Sequence, residues 1–388
     1  MNDPQATPEE IGKNPIRIRD HNRKIILDLL RQHGQLGRKE LAEMTRLSGP
    51  AIANILDTLL AQELILDMGR LRSGRGQPAL QFALNPKGAY TIGFEIGVNG
   101  IVSLALDLGG NPIYRNRIFN HDPSRENCLN ILREEQARIA TKAPGSLLGV
   151  GVVMPGPFAI EGISGIGPTT LPPWENMNSA FLSDALATPV WIENDANAAA
   201  LAESLFGKAA RLRDFAMLYF GAGIGLGIIS GSRLFRGGYG NAGEIGHIPV
   251  IPQGLACPCG QQGCLERYVS RHALSEKLGS PLSPGTVQQY WDAQNPLLLE
   301  WIAESGNVLD PVIRMIENLL DPQTIIIGGQ LPAAVIDALI AAIPLKTSIA
   351  TREDRTQPRL IRGDTGAFTA ALGAAALPFY DAITPFAP

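Results

Sequence analysis

Two hydrophobic rhythms run along the chain, and they change near residue 89. In residues 22–32 (NRKIILDLLRQ), Ile25, Ile26, Leu29 and Leu30 recur at the spacing of one helical face, and Gly34 closes the run. A second short helix is predicted over residues 38–45, with Leu41 and Ala42 turned inward. Ser48 then offers a hydroxyl to an open helix start, and Pro50 stands just inside it, where a missing N–H costs little. The third helix so begun turns Ile52, Ile55, Leu56, Leu59 and Leu60 to one side. Extended runs at 64–67 and 80–84 flank a Gly- and Arg-rich turn, GRLRSGRGQP, and predict a hairpin. Three helices with a tight turn between the second and third, then a hairpin, spell a winged helix-turn-helix, a module that holds DNA.

Beyond residue 89 the chain alternates strands, glycine turns and helices. YTIGFEIGVNGIVSLALDLGGNPI predicts two strands of a meander, and LLGVGVVMPGPF a buried strand and loop. VWIENDANAAALAESLFG reads as a strand running into a helix that starts near Ala196. FAMLYFGAGIGLGIISGSRLF is a hairpin with glycines at its bend, and LDPQTIIIGGQL a buried strand ending in a glycine pair. This order indicates an α/β body whose strand–glycine turn–strand unit occurs twice.

Length and charge sharpen that division. A chain of 388 residues, 45% hydrophobic and 18% charged, describes a globular protein of two or three domains. The net charge of -4 is unevenly placed: residues 13–87 hold 13 Lys and Arg against 7 Asp and Glu, and residues 91–388 hold 20 against 27. A basic module on an acidic body is the charge footprint of a protein that grips DNA with one end. The first residues, MNDPQATPEEIG, have neither the basic nor the apolar stretch of a signal peptide. The longest uncharged apolar run, Phe215 to Ser230, falls short of the ~20 residues a membrane helix needs. A cytoplasmic protein with no membrane partner is expected.

Within the basic module, Ser48, Ala51 and Asn54 occupy the early positions of the third helix, where base edges are read. Asn54 suits an adenine edge and Ala51 a thymine methyl. No arginine stands there, so affinity is expected to lean on Arg38, Lys39 and Arg46, and on Arg70, Arg72 and Arg75 of the hairpin tip.

The cysteines follow metal arithmetic. Cys128 stands alone, but His247, Cys257, Cys259 and Cys264 fall within eighteen residues, separated by turn formers. Three thiolates and one imidazole suit a tetrahedral zinc with no open position, a structural site of one ion per chain. A disulfide between Cys257 and Cys259 would be badly strained.

Four motifs make the body specific: ENDANAAALAE from Glu193, GAGIGLGI from Gly221, GNAGEIGH from Gly240 and CPCGQQGCLE from Cys257. Together they resemble the ROK family of repressors, open reading frames and sugar kinases. The resemblance implies a two-lobed actin-like ATPase fold, ribonuclease H-like, behind the winged helix. The implied domains are 15–88 for DNA binding and 89–388 for the sugar-kinase-like body. Lobe one would cover about 89–192 plus the C-terminal segment, and lobe two about 193–362 with its zinc loop at 247–266.

The family's sugar contacts carry over to Asn194, Asp195, Glu244, His247 and Glu266, with the zinc fixing the loop that bears the His and Glu. The N-terminal winged helix is characteristic of the repressor branch. The resemblance therefore implies a sugar- or sugar-phosphate-responsive repressor, a homodimer or higher homo-oligomer on double-stranded operator DNA. In the family's kinases Asp195 would be the general base. The phosphate loops depart from the kinase pattern: Glu95, Ile96, Gly97, Val98 and Asn99 replace Asp-x-Gly-Gly-Thr, and Ala222 replaces a threonine. Thr170 replaces an asparagine near the sugar. The expectation is a retained sugar pocket, a degraded nucleotide pocket, a vestigial Asp195 and no enzyme activity. A sugar kinase with an added DNA-binding domain is the alternative, and a repressor governed by a protein partner a third reading.

Overall fold

The computed structural model describes residues 15–71, 79–97, 100–120, 122, 124–156, 174 and 178–383. The N-terminal module opens with helix α1 (Pro15–His33), followed by strand β1 (Gln35–Gly37), α2 (Arg38–Thr45) and α3 (Gly49–Ala61). α1 starts well ahead of the predicted run, because its first turns alternate Ile16 and Ile18 with arginines and show no helical period. α2 has the predicted bounds, and Arg46 caps it in a left-handed conformation at φ 58°. The Ser48 hydroxyl accepts the Ala51 N–H at the head of α3, as its position predicts.

Strands β2 (Ile65–Leu71) and β3 (Ala79–Leu84) form the hairpin, and β1 adds a third strand, pairing Leu36 with Phe82. Three residues are too few to register as a period, so β1 was not foreseen. Ile26, Leu27, Leu30, Leu41, Ile52, Leu56, Leu59 and Phe82 make the module's dry core.

The body contains two five-stranded sheets with one topology. The first has β4 (Ala89–Gly97), β5 (Gly100–Asp107), β6 (Pro112–Phe119), β7 (Ser146–Met154) and β8 (Val190–Asn194), in spatial order β6-β5-β4-β7-β8. The second has β9 (Phe215–Phe220), β10 (Ile224–Ser230), β11 (Arg233–Leu234), β12 (Ile325–Gly329) and β13 (Leu360–Arg362), in order β11-β10-β9-β12-β13. In each, three strands meander antiparallel and two further strands join parallel.

Helices α4 (Arg125–Ala140) and α5 (Ser179–Leu186) cover one face of the first sheet. α7 (Arg271–Leu278), α8 (Pro284–Asp292), α9 (Pro296–Leu320) and α10 (Ala333–Ala342) contribute to the apolar cluster on one face of the second. Between the sheets lie α6 (Asp195–Phe206) and the last helix, α11 (Thr369–Ile383).

This middle layer explains the alanines of ANAAALA and TAALGAAA. A Cβ added at Gly93 or Gly151 of the first sheet would lie 2.1 or 1.9 Å from a carbonyl oxygen of α11. One added at Gly227 of the second would lie 2.3 Å from the Ala196 carbonyl of α6. Where the helices cross, a Cβ on Gly373 would stand 1.8 Å from the Ala198 carbonyl oxygen. Helix backbones thus rest directly on strand backbones, which only small side chains permit.

At its far end α11 leaves the sheets. Phe379 joins the hydrophobic core of the N-terminal module together with Ala89 and Leu108, and Lys24 of α1 pairs with Asp381 at 3.7 Å. No helix among the described residues is long and apolar enough to cross a membrane.

Because a carbonyl cannot swing aside as a side chain can, Gly373→Ala is expected to lower stability by about 1–3 kcal/mol through overpacking. Guanidinium unfolding of the purified variant checks it, and an unchanged midpoint would refute the backbone contact.

Candidate functional site

The ENDAN motif sits where β8 turns into α6. Asn194 caps the helix: its side-chain oxygen accepts the N–H groups of Ala196 (2.8 Å) and Asn197 (3.3 Å), leaving only its amide N–H groups for a ligand. Asp195 is the first helical residue, so the helix starts one position before the predicted Ala196. Glu193, buried beneath, accepts the Asn194 N–H and the Asn197 amide with one carboxylate oxygen and Arg236 Nε, at 2.6 Å, with the other. This residue escaped the sequence reading, since nothing local marks an arginine forty positions away as its partner.

The β9–β10 turn supplies the next wall. A Cβ at Gly221 would come within 2.9 Å of an Asp195 carboxylate oxygen, and one at Gly223 within 2.4 Å of Glu266 Oε2. Glycine at both positions lets the two carboxylates close on the turn. Past β11, a 3-10 turn at Ile245–His247 carries His247 and follows Glu244, and another at Leu265–Arg267 carries Glu266. Single β-bridges, Pro249 to Cys264 and Ala256 to Gln262, tie these turns together.

All five predicted pocket residues, Asn194, Asp195, Glu244, His247 and Glu266, line one cavity of about 370 Å³. Three carboxylates make its polar surface rich in acceptors. Burial, then the nearby charge of Glu95, pushes the Asp195 carboxyl up to about 7, and burial raises Glu244. Such a lining favours a ligand that brings hydroxyl donors.

The four predicted metal ligands also converge. The donor atoms of His247, Cys257, Cys259 and Cys264 lie within 4.8 Å of one another. Cys257 Sγ is 3.7 Å from His247 Nδ1, and Cys259 Sγ 3.7 Å from Cys264 Sγ. Gly260, at φ +91°, makes the tight turn that brings the thiols round. Three thiols and an imidazole at this spacing fit a tetrahedral soft-metal site, so the cluster can hold a metal ion.

A second polar group, missed in the sequence, crosses between the sheets. Glu95 of β4 accepts the Tyr219 hydroxyl of β9 at 3.0 Å and the Gln330 amide, and Gln330 in turn accepts a guanidinium N–H of Arg271. Val98 and Asn99, the other loop positions that depart from the kinase pattern, lie outside the described residues, as does Thr170.

At the N-terminal module, Ser48 and Asn54 are exposed and Ala51 half-buried along one edge of α3. The Ser48 hydroxyl is shared with its capping bond. Arg38 lies 5.8 Å from the Phe82 ring centre and 3.8 Å from Asp57, while Lys39 and Arg46 are exposed. Arg70 pairs through its backbone with Leu80, but its side chain, like Arg72 and Arg75, lies outside the described residues.

The ROK family model matches residues 91–379, which span both sheets and the whole cavity. The chain belongs to the ROK family. Among its relatives, the xylose repressor of Bacillus spizizenii is 30% identical over 321 residues, 81% of this chain and 83% of that protein. A solved ROK family transcriptional regulator, a homologue of the Escherichia coli MLC protein, superposes with a TM-score of 0.72 at 24% identity. That match covers 95% of this chain and 98% of the other, so it establishes the fold from winged helix to C-terminal helix. A ROK glucokinase from Streptomyces griseus, solved with glucose and AMPPNP, gives a TM-score of 0.62 at 25% identity, covering 74% and 98%. ROK members of both kinds therefore share this two-sheet body.

Proposed function

We propose that this chain is a sugar-responsive transcriptional repressor. Residues 15–88 form its DNA-binding domain, and residues 89–388 its sensor. The observation that carries the reading is α11. The helix lies against α6, whose first residue Asp195 lines the cavity, and it ends with Phe379 inside the winged-helix core. A change in the angle between the sheets would thus reach the DNA-binding module through packed side chains. The xylose repressor supports the same reading by its likeness over four fifths of the chain.

The sugar is held by Asn194, Asp195, Glu244, His247 and Glu266. Asn194 and Asp195 come from the end of the first sheet, and the other three from loops of the second, so a bound sugar bridges the two. DNA is held by Ser48, Ala51 and Asn54 of the recognition helix with Arg38, Arg46, Arg70, Arg72 and Arg75 around it. The repressor acts as a homodimer on a two-fold operator.

The metal is a structural zinc, one per chain, on His247, Cys257, Cys259 and Cys264. When bound it draws the two 3-10 turns together and leaves the second His247 nitrogen for the sugar.

A sugar kinase remains the second reading, favoured by the Asp195 carboxyl held near 7, a value suited to a general base, and by the glucokinase likeness. Against it stand the sequence changes at Val98, Asn99 and Ala222, which replace a glycine and two threonines of the kinase phosphate loops.

Purified protein is expected to carry one zinc per chain by elemental analysis. Cys259→Ser should lose it and the sugar response together; well under one zinc per chain in the wild type would refute the site.

Asp195→Ala is expected to bind operator like the wild type, its winged helix being untouched, yet to ignore the inducing sugar in a gel-shift titration. The wild type should hydrolyse no ATP in response to sugar; turnover of about 1–100 per second would establish the kinase instead.

The pH dependence follows from Asp195. Below about 7 it takes up a proton and loses the charge that strengthens its hydrogen bond to a sugar hydroxyl. Sugar affinity should fall as the pH drops from 8 to 6, approaching about tenfold per unit below the pKa. Asp195→Asn should flatten the profile measured by calorimetry.

A further inference from the structure

A second cavity, of about 420 Å³, opens beside the first. Pro155, Asp195 and Ala222 line both, so the two adjoin at Asp195. Each alone falls in the size range that encloses a small organic ligand. The second is lined by Glu95, Gly97 and Ala222 of the loops that face phosphate in the family's kinases and are altered here. A single sugar ring in the first cavity leaves it unfilled.

The wall of the second cavity is built for a polar, uncharged group. Glu95 is 4% exposed, and its Oε1 is satisfied by Tyr219 and Gln330. Its Oε2 is buried with no hydrogen-bond partner among the described residues. Arg271 lines the same cavity, and its Nε is likewise buried without a partner. An orphaned acceptor and an orphaned donor in one wall call for a ligand that both donates and accepts, as a hydroxyl does.

Anionic ligands fit less well. Glu95 and Asp195 both line the second cavity and set two carboxylates against its two arginines, Arg117 and Arg271. The guanidinium of Arg271 is already spent on Gln330 and on the carbonyls of Gly221 and Leu282. Arg117 donates to the Ala367 carbonyl and lies over the Phe368 ring. Val102, Ile118, Phe119 and Leu282 supply the apolar remainder, which suits the C–H face of a sugar ring.

We propose that the second cavity binds a second sugar ring, so that the effector is a disaccharide spanning both cavities. The proposal rests on the sugar-sensor reading of the first cavity and names the ligand class that completes it. The glycosidic oxygen lies beside Asp195, one ring meets Glu244, His247 and Glu266, and the other meets Glu95 and Arg271.

The test is calorimetric titration of the full-length, metal-replete chain with glucose, with xylose, with the α- and β-linked homodisaccharides of each, and with ATP. At least one disaccharide is expected to bind tenfold or more tightly than its own monosaccharide. The ratio of the two affinities should fall at least tenfold in Glu95→Gln, which keeps the side chain's shape, and in Thr286→Trp, which fills the second cavity. The thermal unfolding midpoint reports whether each variant is folded, and either variant alone suffices. Equal affinity for monosaccharide and disaccharide, a ratio unmoved in a folded variant, or displacement of the disaccharide by ATP would overturn the disaccharide assignment and leave the sugar sensor standing. Binding of no sugar of either kind would overturn both.

Discussion

The contact between α6 and α11 leaves no room for a single methyl group. Gly373 meets the Ala198 carbonyl, Gly93 and Gly151 meet the backbone of α11, and Gly225 and Gly227 meet α6. A helix laid this closely on a strand cannot slide without collision, so these contacts fix where each helix lies on its sheet. The cavity lies at one end of the helix crossing, with Asp195 on the first turn of α6, and the winged-helix core lies at the other, with Phe379 on the last turns of α11. In the proposed reading, this contact between small residues is what would couple ligand to DNA.

How far this was legible in the sequence depended on the distance between partners along the chain. The bounds of α2, the cap at Ser48 and the metal cluster all rest on neighbours within eighteen residues, where spacing alone fixes geometry. The five cavity residues could be named only by resemblance, because ENDAN and GEIGH carry no local sign that they face each other. Glu95 was visible merely as a departure from the kinase pattern. Its partners stand 124 and 235 positions away, and no period or motif connects them. The role of Phe379 was hidden for the same reason: one aromatic near the C-terminus reads as ordinary core until the first ninety residues are folded against it.

The chemistry of the cavity separates two things that the kinase resemblance bundles. Gripping a sugar needs acceptors for hydroxyls, and Asp195, Glu244 and Glu266 supply them. Transferring a phosphate needs close backbone approach and concentrated positive charge on the other side of Asp195. There Glu95 stands where the kinase pattern has an aspartate, and its hydrogen bonds run to Tyr219, Gln330 and, through Gln330, to Arg271. A carboxyl held near 7 is compatible with both tasks, so Asp195 by itself decides nothing. In the proposed reading, what weighs against transfer is the replacement of a glycine and two threonines of the kinase loops by Val98, Asn99 and Ala222.

The hydrogen-bonded tie at Glu95 gives the two-sheet body a resting geometry without any ligand. Glu95 belongs to the first sheet, Tyr219 and Gln330 to the second, and their hydrogen bonds favour the arrangement in which they meet. A ligand can shift the equilibrium only by binding one arrangement better than the other. One that touched a single sheet would bind both arrangements alike and carry no signal, however tightly it bound. The cavity avoids this by drawing Asn194 and Asp195 from the strand–helix junction of the first sheet, and Glu244, His247 and Glu266 from loops of the second. A metal fixing the latter loops would prevent them from following the ligand independently of their sheet. In the proposed reading, strain from the fit would pass to α6 and α11, and the far end of α11 packs into the core of the N-terminal module.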